Sequence, residues 1–162
     1  MFSDDFRDWT RAEEVFIADE IDEDSPVPDG TLGWLPKVDF YTPGGMKVPG
    51  VANAYILMPS AYYHWQEDHF PSTVDVRLAT SRDGMTWWQH PDREPFLRLG
   101  PDGSPNGSMI YANPWLNPVG DELWMYYGGV GHDHRNENRD PRMSGVFQAR
   151  IRQDGFVSVH AG

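Results

Sequence analysis

The chain has 162 residues, 39% of them apolar and 14% aromatic, which suffices for one domain with a real core and argues against general disorder. Against 25 Asp and Glu there are 13 Lys and Arg, a formal net charge of −12 without a local basic patch, so neither nucleic acid nor an anionic membrane surface is expected as a partner. No stretch approaches the roughly 18 uninterrupted apolar residues of a spanning helix, "MFSDDFRDWT" has neither the basic nor the apolar part of a leader, and a soluble chain is expected; zero Cys excludes disulfides, thiolate catalysis and Cys-ligated zinc without naming a compartment.

Sixteen Gly and 14 Pro beside so many aromatics predict short strands joined by turns. In chain order, Arg11 to Leu35 reads as an acidic, Pro-containing connection. Strands are predicted over Lys37 to Tyr41, Ala54 to Met58, Val74 to Thr80 and Thr86 to Gln89, then over Met109 to Asn113, Glu122 to Tyr127, Gly145 to Ile151 and Phe156 to His160. Between them, Tyr41 to Val51 reads as a Gly/Pro loop, Pro59 to Thr73 as a long aromatic loop, Pro91 to Ser108 as a turn-rich crossover and Gly128 to Ser144 as a polar loop. "AYILMP" and "ELWMYYGG" are apolar at successive positions, as in strands covered on both faces, whereas "VDVRLATS" alternates.

The turn before the fourth strand is repeated. Ser81, Asp83 and Trp87 match Ser3, Asp5 and Trp9 as S-x-D-x-x-x-W, and a weaker copy sets Asp83-Gly84 on Asp154-Gly155. In such a turn the Asp accepts from amides just downstream, Gly takes a positive φ and Trp packs across. Four strands twice over, with a recurring turn, predict an all-β chain of β-propeller blades: about two four-stranded antiparallel blades plus part of another, with 1–10 ending one blade, 36–90 a second and 108–160 a third. Two blades and a tail fall short of the four that closure takes, so a fragment of a longer propeller, or completion by further copies as a homo-oligomer, is expected.

"DVRLATSRDGMTW", "DREPFLRLG", "GDELWMYYGG" and "DGFVSVHAG", in this order, resemble bacterial glycosyl hydrolases with five-bladed propellers, related in fold to glycoside hydrolase families 32 and 43. The resemblance implies a carbohydrate as substrate or ligand. It also implies a site built from acidic residues on the inner strands of several blades. No cofactor is expected, and calcium on the axis, as in some relatives, is left open. "RDP" at Arg139 to Pro141 matches a short family 32 signature, but "HRNENRDPRM" reads as a polar loop and not as an inner strand, so that role is not carried over.

The inner strands hold Asp39 and Tyr41 in one blade and Tyr111 and Asn113 in the next. A glycosidase needs two carboxyl groups about 5–9.5 Å apart, and Asp39 is the candidate for one; it competes with a turn-capping aspartate, and no second is evident, since Glu122 reads as structural. "SAYYHWQEDHF" sets His64 and Trp65 beside Tyr62 and Tyr63, where rings can stack on sugars and His can exchange protons. Asp75 and Arg77 share a strand face, fit either to hold a substrate or to pair with each other. His132 and His134 flank Asp133 and, with Glu67 or His69, could be set against a metal; solvated loop histidines are the simpler reading and no metal is expected. Two functions stay open: part of a glycan-active propeller, or a non-catalytic module binding carbohydrate or protein through the same aromatics.

Overall fold

The computed structural model describes residues 1–23, 37–64, 72–132 and 140–156. The fold is all-β, with one helical turn, α1 (Glu20–Glu23), and a 3-10 turn at Pro141–Met143 among the described residues. The first meander comprises β1 (Val38–Lys47), β2 (Tyr55–Tyr63), β3 (Thr73–Val76), β4 (Ala79–Ser81) and β5 (Trp87–Gln89), all antiparallel, with β2 pairing β1 on one edge and β3 and β4 on the other. The second comprises β6 (Met109–Val119), β7 (Glu122–Val130) and β8 (Ser144–Arg152). One parallel pairing, Val74 with Met109, joins the two into an open mixed sheet of order β5-β4-β2-β3-β6-β7-β8, with β1 beside β2.

Several predicted boundaries change. Tyr41 to Val51 is not a loop: β1 continues to Lys47 because "TPGG" is absorbed as a bulge between Tyr41 and Gly44, where Thr42 takes a φ of 40° and the ladder then resumes. Pro59 to Tyr63, predicted as loop, extends β2, and Gly128 to Val130 extends β7. The single strand predicted over Val74 to Thr80 is broken at Arg77 and Leu78, opposite Met58 and Pro59; Pro59 has no N–H to give the ladder, although its carbonyl still accepts from the Arg77 amide at 2.9 Å. Of the strand predicted over Phe156 to His160, only Phe156 lies within the described residues.

Ile56 to Ala61 are buried on successive positions, so β2 is covered on both faces as its composition suggests. Ile56 and Met58 pack against Ile110, Ala112, Leu123 and Met125 of the second meander, and this layer forms the core. Residues opposite one another across a ladder share a face. Asp39 faces Tyr62 and Tyr41 faces Ser60, which puts these side chains on the face of Ile56 and Met58 that meets the second meander. Tyr63, Ala61 and Asp75 occupy the reverse face. The N-terminal segment lies over part of that reverse side: the Phe16 and Phe40 rings are 5.0 Å apart, and Asp19 and Asp22 pair with Arg93.

The repeated turn is the same structure twice. Asp83 Oδ1 accepts from the amides of Met85 and Thr86 at 2.8 and 2.7 Å and from Ser81 Oγ at 2.9 Å. Asp5 Oδ1 accepts from the amides of Arg7 and Asp8 at 2.8 and 2.9 Å and from Ser3 Oγ at 3.2 Å. Even the left-handed residue recurs, Gly84 at φ 77° and Phe6 at φ 59°. The amide of Thr10 bonds the Phe2 carbonyl at 2.9 Å, the place held by the Thr80 and Trp88 pair in the later copy. At the third copy Arg152 stands where the Ser should be, and Asp154 pairs with its guanidinium at 2.9 Å and, among the described residues, accepts from no downstream amide.

Candidate functional site

The first strands of both meanders carry an irregularity at the same level. β1 is bulged between Tyr41 and Gly44, and β6 between Ala112 and Leu116, each just after a tyrosine and at a proline in the sequence. Bulges re-aim side chains at the ends of ladders, and here they open a cleft of about 510 Å³ lined by Thr42, Pro43 and Gly44 on one side and Tyr111, Asn113 and Tyr126 on the other. Tyr127, Gly128 and Val146 complete it. The positive φ of Thr42 is the strained point of this wall, and its hydroxyl is held 2.9 Å from Ser60 Oγ.

Beside the cleft, Asp39 Oδ2 lies 2.9 Å from His64 Nε2, a pair positioned by the Asp39–Tyr62 register and by the bond from the His64 amide to the Lys37 carbonyl. The Tyr62 ring packs on His64 at 4.6 Å and meets Tyr41 edge-on at 5.2 Å. Tyr111 belongs to both places: it lines the cleft, and burial, followed by the phenolic groups of Tyr62 and Tyr41, pushes its hydroxyl above the ordinary phenol range. Burial and then the Asp39 carboxylate push Tyr41 the same way. The Asp39 side chain is 31% exposed, while its Oδ1 is shielded and accepts no hydrogen bond among the described residues. The structure thus brings together Asp39, Tyr41, His64 and Tyr111, with Asn113 on the cleft wall.

A second carboxylate does not join them on these strands. β1 carries Asp39 alone, β2, β6 and β8 carry none, and β7 carries only Glu122. Glu122 accepts from Trp124 Nε1 at 2.9 Å at the start of β7, while Tyr111 pairs with Gly128, about 20 Å further along at the usual rise per residue. Asp75 and Arg77 stand on the reverse face, away from this cluster. There Arg77 Nε donates to Asp75 Oδ1 at 3.2 Å, Tyr63 donates to Asp75 Oδ2 at 3.1 Å, and Arg77 also donates to the Tyr63 hydroxyl. Burial outweighs the pull of Arg77 and raises Asp75 to about 6, and burial raises Tyr63 to about 12. The trio is a buried brace between β2 and β3.

His132 follows β7, half-buried, and Trp65, Glu67, His69, Asp133 and His134 lie outside the described residues. Asp140 of the "RDP" tripeptide caps the 3-10 turn by accepting from the Arg142 amide, and it pairs with the Arg142 side chain at 2.7 Å. No group of three or more His, Asp and Glu arranged to hold a metal occurs among the described residues, and none of their helices is long and apolar enough to cross a membrane. A larger groove of about 630 Å³ runs between the outer turns, past Tyr55, Arg82, Asp83, Trp88 and Asp154. Its carboxylates are already committed, Asp83 to turn amides that hold it down at about 2, and Asp154 to Arg152.

Thr42, Pro43, Gly44, Tyr126 and Tyr127 line the cleft without standing out in the sequence; "YTPGG" and "YANP" together are the available signal, a Tyr followed by Pro on the first strand of each meander. Comparison with models of known families, with curated proteins and with solved structures finds no match to this chain.

Proposed function

We propose that the two meanders are consecutive blades of a β-propeller and that the chain recognises a carbohydrate at the Asp39–His64 pair and the adjoining cleft. The observation that carries this reading is the convergence of Tyr41, Tyr62 and Tyr111 on a hydrogen-bonded carboxylate and imidazole at the bulged ends of the inner strands. Tyrosine faces suit the C–H surfaces of a sugar ring, and a carboxylate with exposed area accepts from paired hydroxyls. The resemblance to propeller glycosyl hydrolases supports the same ligand class. Absence of a second acid from the surrounding strands favours binding over hydrolysis by these residues alone; a glycosidase reading needs the partner carboxylate from elsewhere, and Asp39 on an inner strand is what favours it.

An array of defined oligosaccharides tests the proposal. The chain is expected to retain a subset, Asp39→Asn to weaken that binding about 10-fold or more, as loss of a charge-assisted hydrogen bond does, and Tyr111→Ala to weaken it further. Failure to retain any saccharide, or undiminished retention by Asp39→Asn, contradicts it. Release of reducing sugar by the chain from a bound glycan decides for the glycosidase reading.

A further inference from the structure

The second meander has one face in the core and one in solvent, and the solvent face is not the polar surface that such a sheet usually presents. Leu123 and Met125 point to the core, whereas Trp124 and Tyr126 alternate outward opposite Arg150 and Gln148 of β8, with Val146 opposite Gly128. Val146 is 80% exposed and Trp115, on β6, 68%. The polar groups between them are braced within the face: Gln148 donates to the Tyr126 hydroxyl at 3.0 Å, Arg150 donates to Gln148 at 2.9 Å, and the Arg150 guanidinium lies 4.6 Å from the Trp124 ring centroid. Arg150 has no carboxylate partner among the described residues, unlike Arg142 and Arg152.

We infer that this face is an interface, and that its occupant is the acidic N-terminal side of a second copy of the chain. Tyr126, Gly128 and Val146 also line the cleft, so this interface borders the proposed carbohydrate site and shares that wall with it. Within one chain, the first meander already covers the inner face of the second by sheet-on-sheet packing, so a second copy in the same relation would cover the outer face too. Its N-terminal side is complementary: Met1–Glu23 holds nine carboxylates against Arg7 and Arg11, and it exposes Phe2, Phe6, Trp9, Val15 and Ile17. A two-fold pairing of the aromatic face with itself would set Arg150 against Arg150, whereas a head-to-tail contact sets it against carboxylates.

Light scattering on the full chain, from micromolar to hundreds of micromolar, reads the outcome. The expected mass is at least twice 18.5 kDa at high concentration, falling as salt rises. Val146→Glu and Ile17→Glu, both at exposed positions and checked for retained fold by circular dichroism, should each give 18.5 kDa alone and a one-to-one complex when mixed, because a head-to-tail pair then keeps one intact interface. A wild-type mass of 18.5 kDa throughout overturns the inference. So does assembly unmoved by either variant, or a mixture that stays monomeric.

Discussion

Asp75 shows how a single buried group sets the response of the fold to pH. In the unfolded chain it titrates near 3.8, and in the fold burial holds its proton to about 6. The folded state therefore binds more protons than the unfolded state between those values, so this contribution to stability is fully present below about 4 and lost as pH rises through about 6. Asp22, raised mainly by burial, acts in the same direction, while Asp83, lowered to about 2 by the Thr86 and Met85 amides, stabilises above about 4 and loses its effect as pH falls toward 2. Urea unfolding of Asp75→Asn at pH 4, 5, 6 and 7 should show a shallower loss of stability across that window than the wild type. It should also show a lower stability overall, by about 3–5 kcal/mol, because Arg77 keeps no buried counterion. Equal slopes for the two proteins would remove Asp75 from this role.

Strands reveal most clearly what was legible in the sequence. β2 was readable because a strand buried on both faces is apolar throughout, and the Ser81 turn because its Ser, Asp and Gly each have a stated hydrogen-bonding or φ requirement; both are local properties. The same apolar run located β7 but misjudged its cover, since Leu123 and Met125 are buried while Tyr126 is exposed on the other face. The bulged continuation of β1 was not readable, since "TPGG" satisfies a loop as well as it satisfies a bulge, and only pairing with β2 decides between them. The same holds for the Gly128-Gly129 pair, read as the start of a loop but set within β7. A Cβ at Gly129 would lie 2.6 Å from Asn106 Cβ and 2.7 Å from Phe147 Cε2, whereas at Gly128 nothing lies within 4 Å. Gly129→Ala should therefore cost about 1–3 kcal/mol, and Gly128→Ala about 0.5 kcal/mol or less, compared by denaturant midpoints. A similar loss at both positions would contradict the packing described for β7 and β8.

At the scale of the whole molecule, two antiparallel meanders face each other across Met58, Ile110 and Met125, and their first strands, β1 and β6, carry Asp39, Tyr41 and Tyr111. Composition and the repeated turn were enough to predict an all-β chain and the first-strand positions of these residues. They did not separate Asp39 from Asp75, because which face a residue occupies depends on register between strands far apart in sequence. Nor did they foresee His64 at the end of a strand, where its bond to Asp39 depends on β1 pairing with β2. Chemical-shift mapping of the labelled chain, with a saccharide retained on the array, tests the central claim most directly. The amides of Asp39, Tyr62, His64, Tyr111 and Asn113 should move together and saturate with one affinity; shifts confined to the outer turns around Ser81 and Asp83, or to Trp124 and Arg150 on the outward face, would contradict the proposed site.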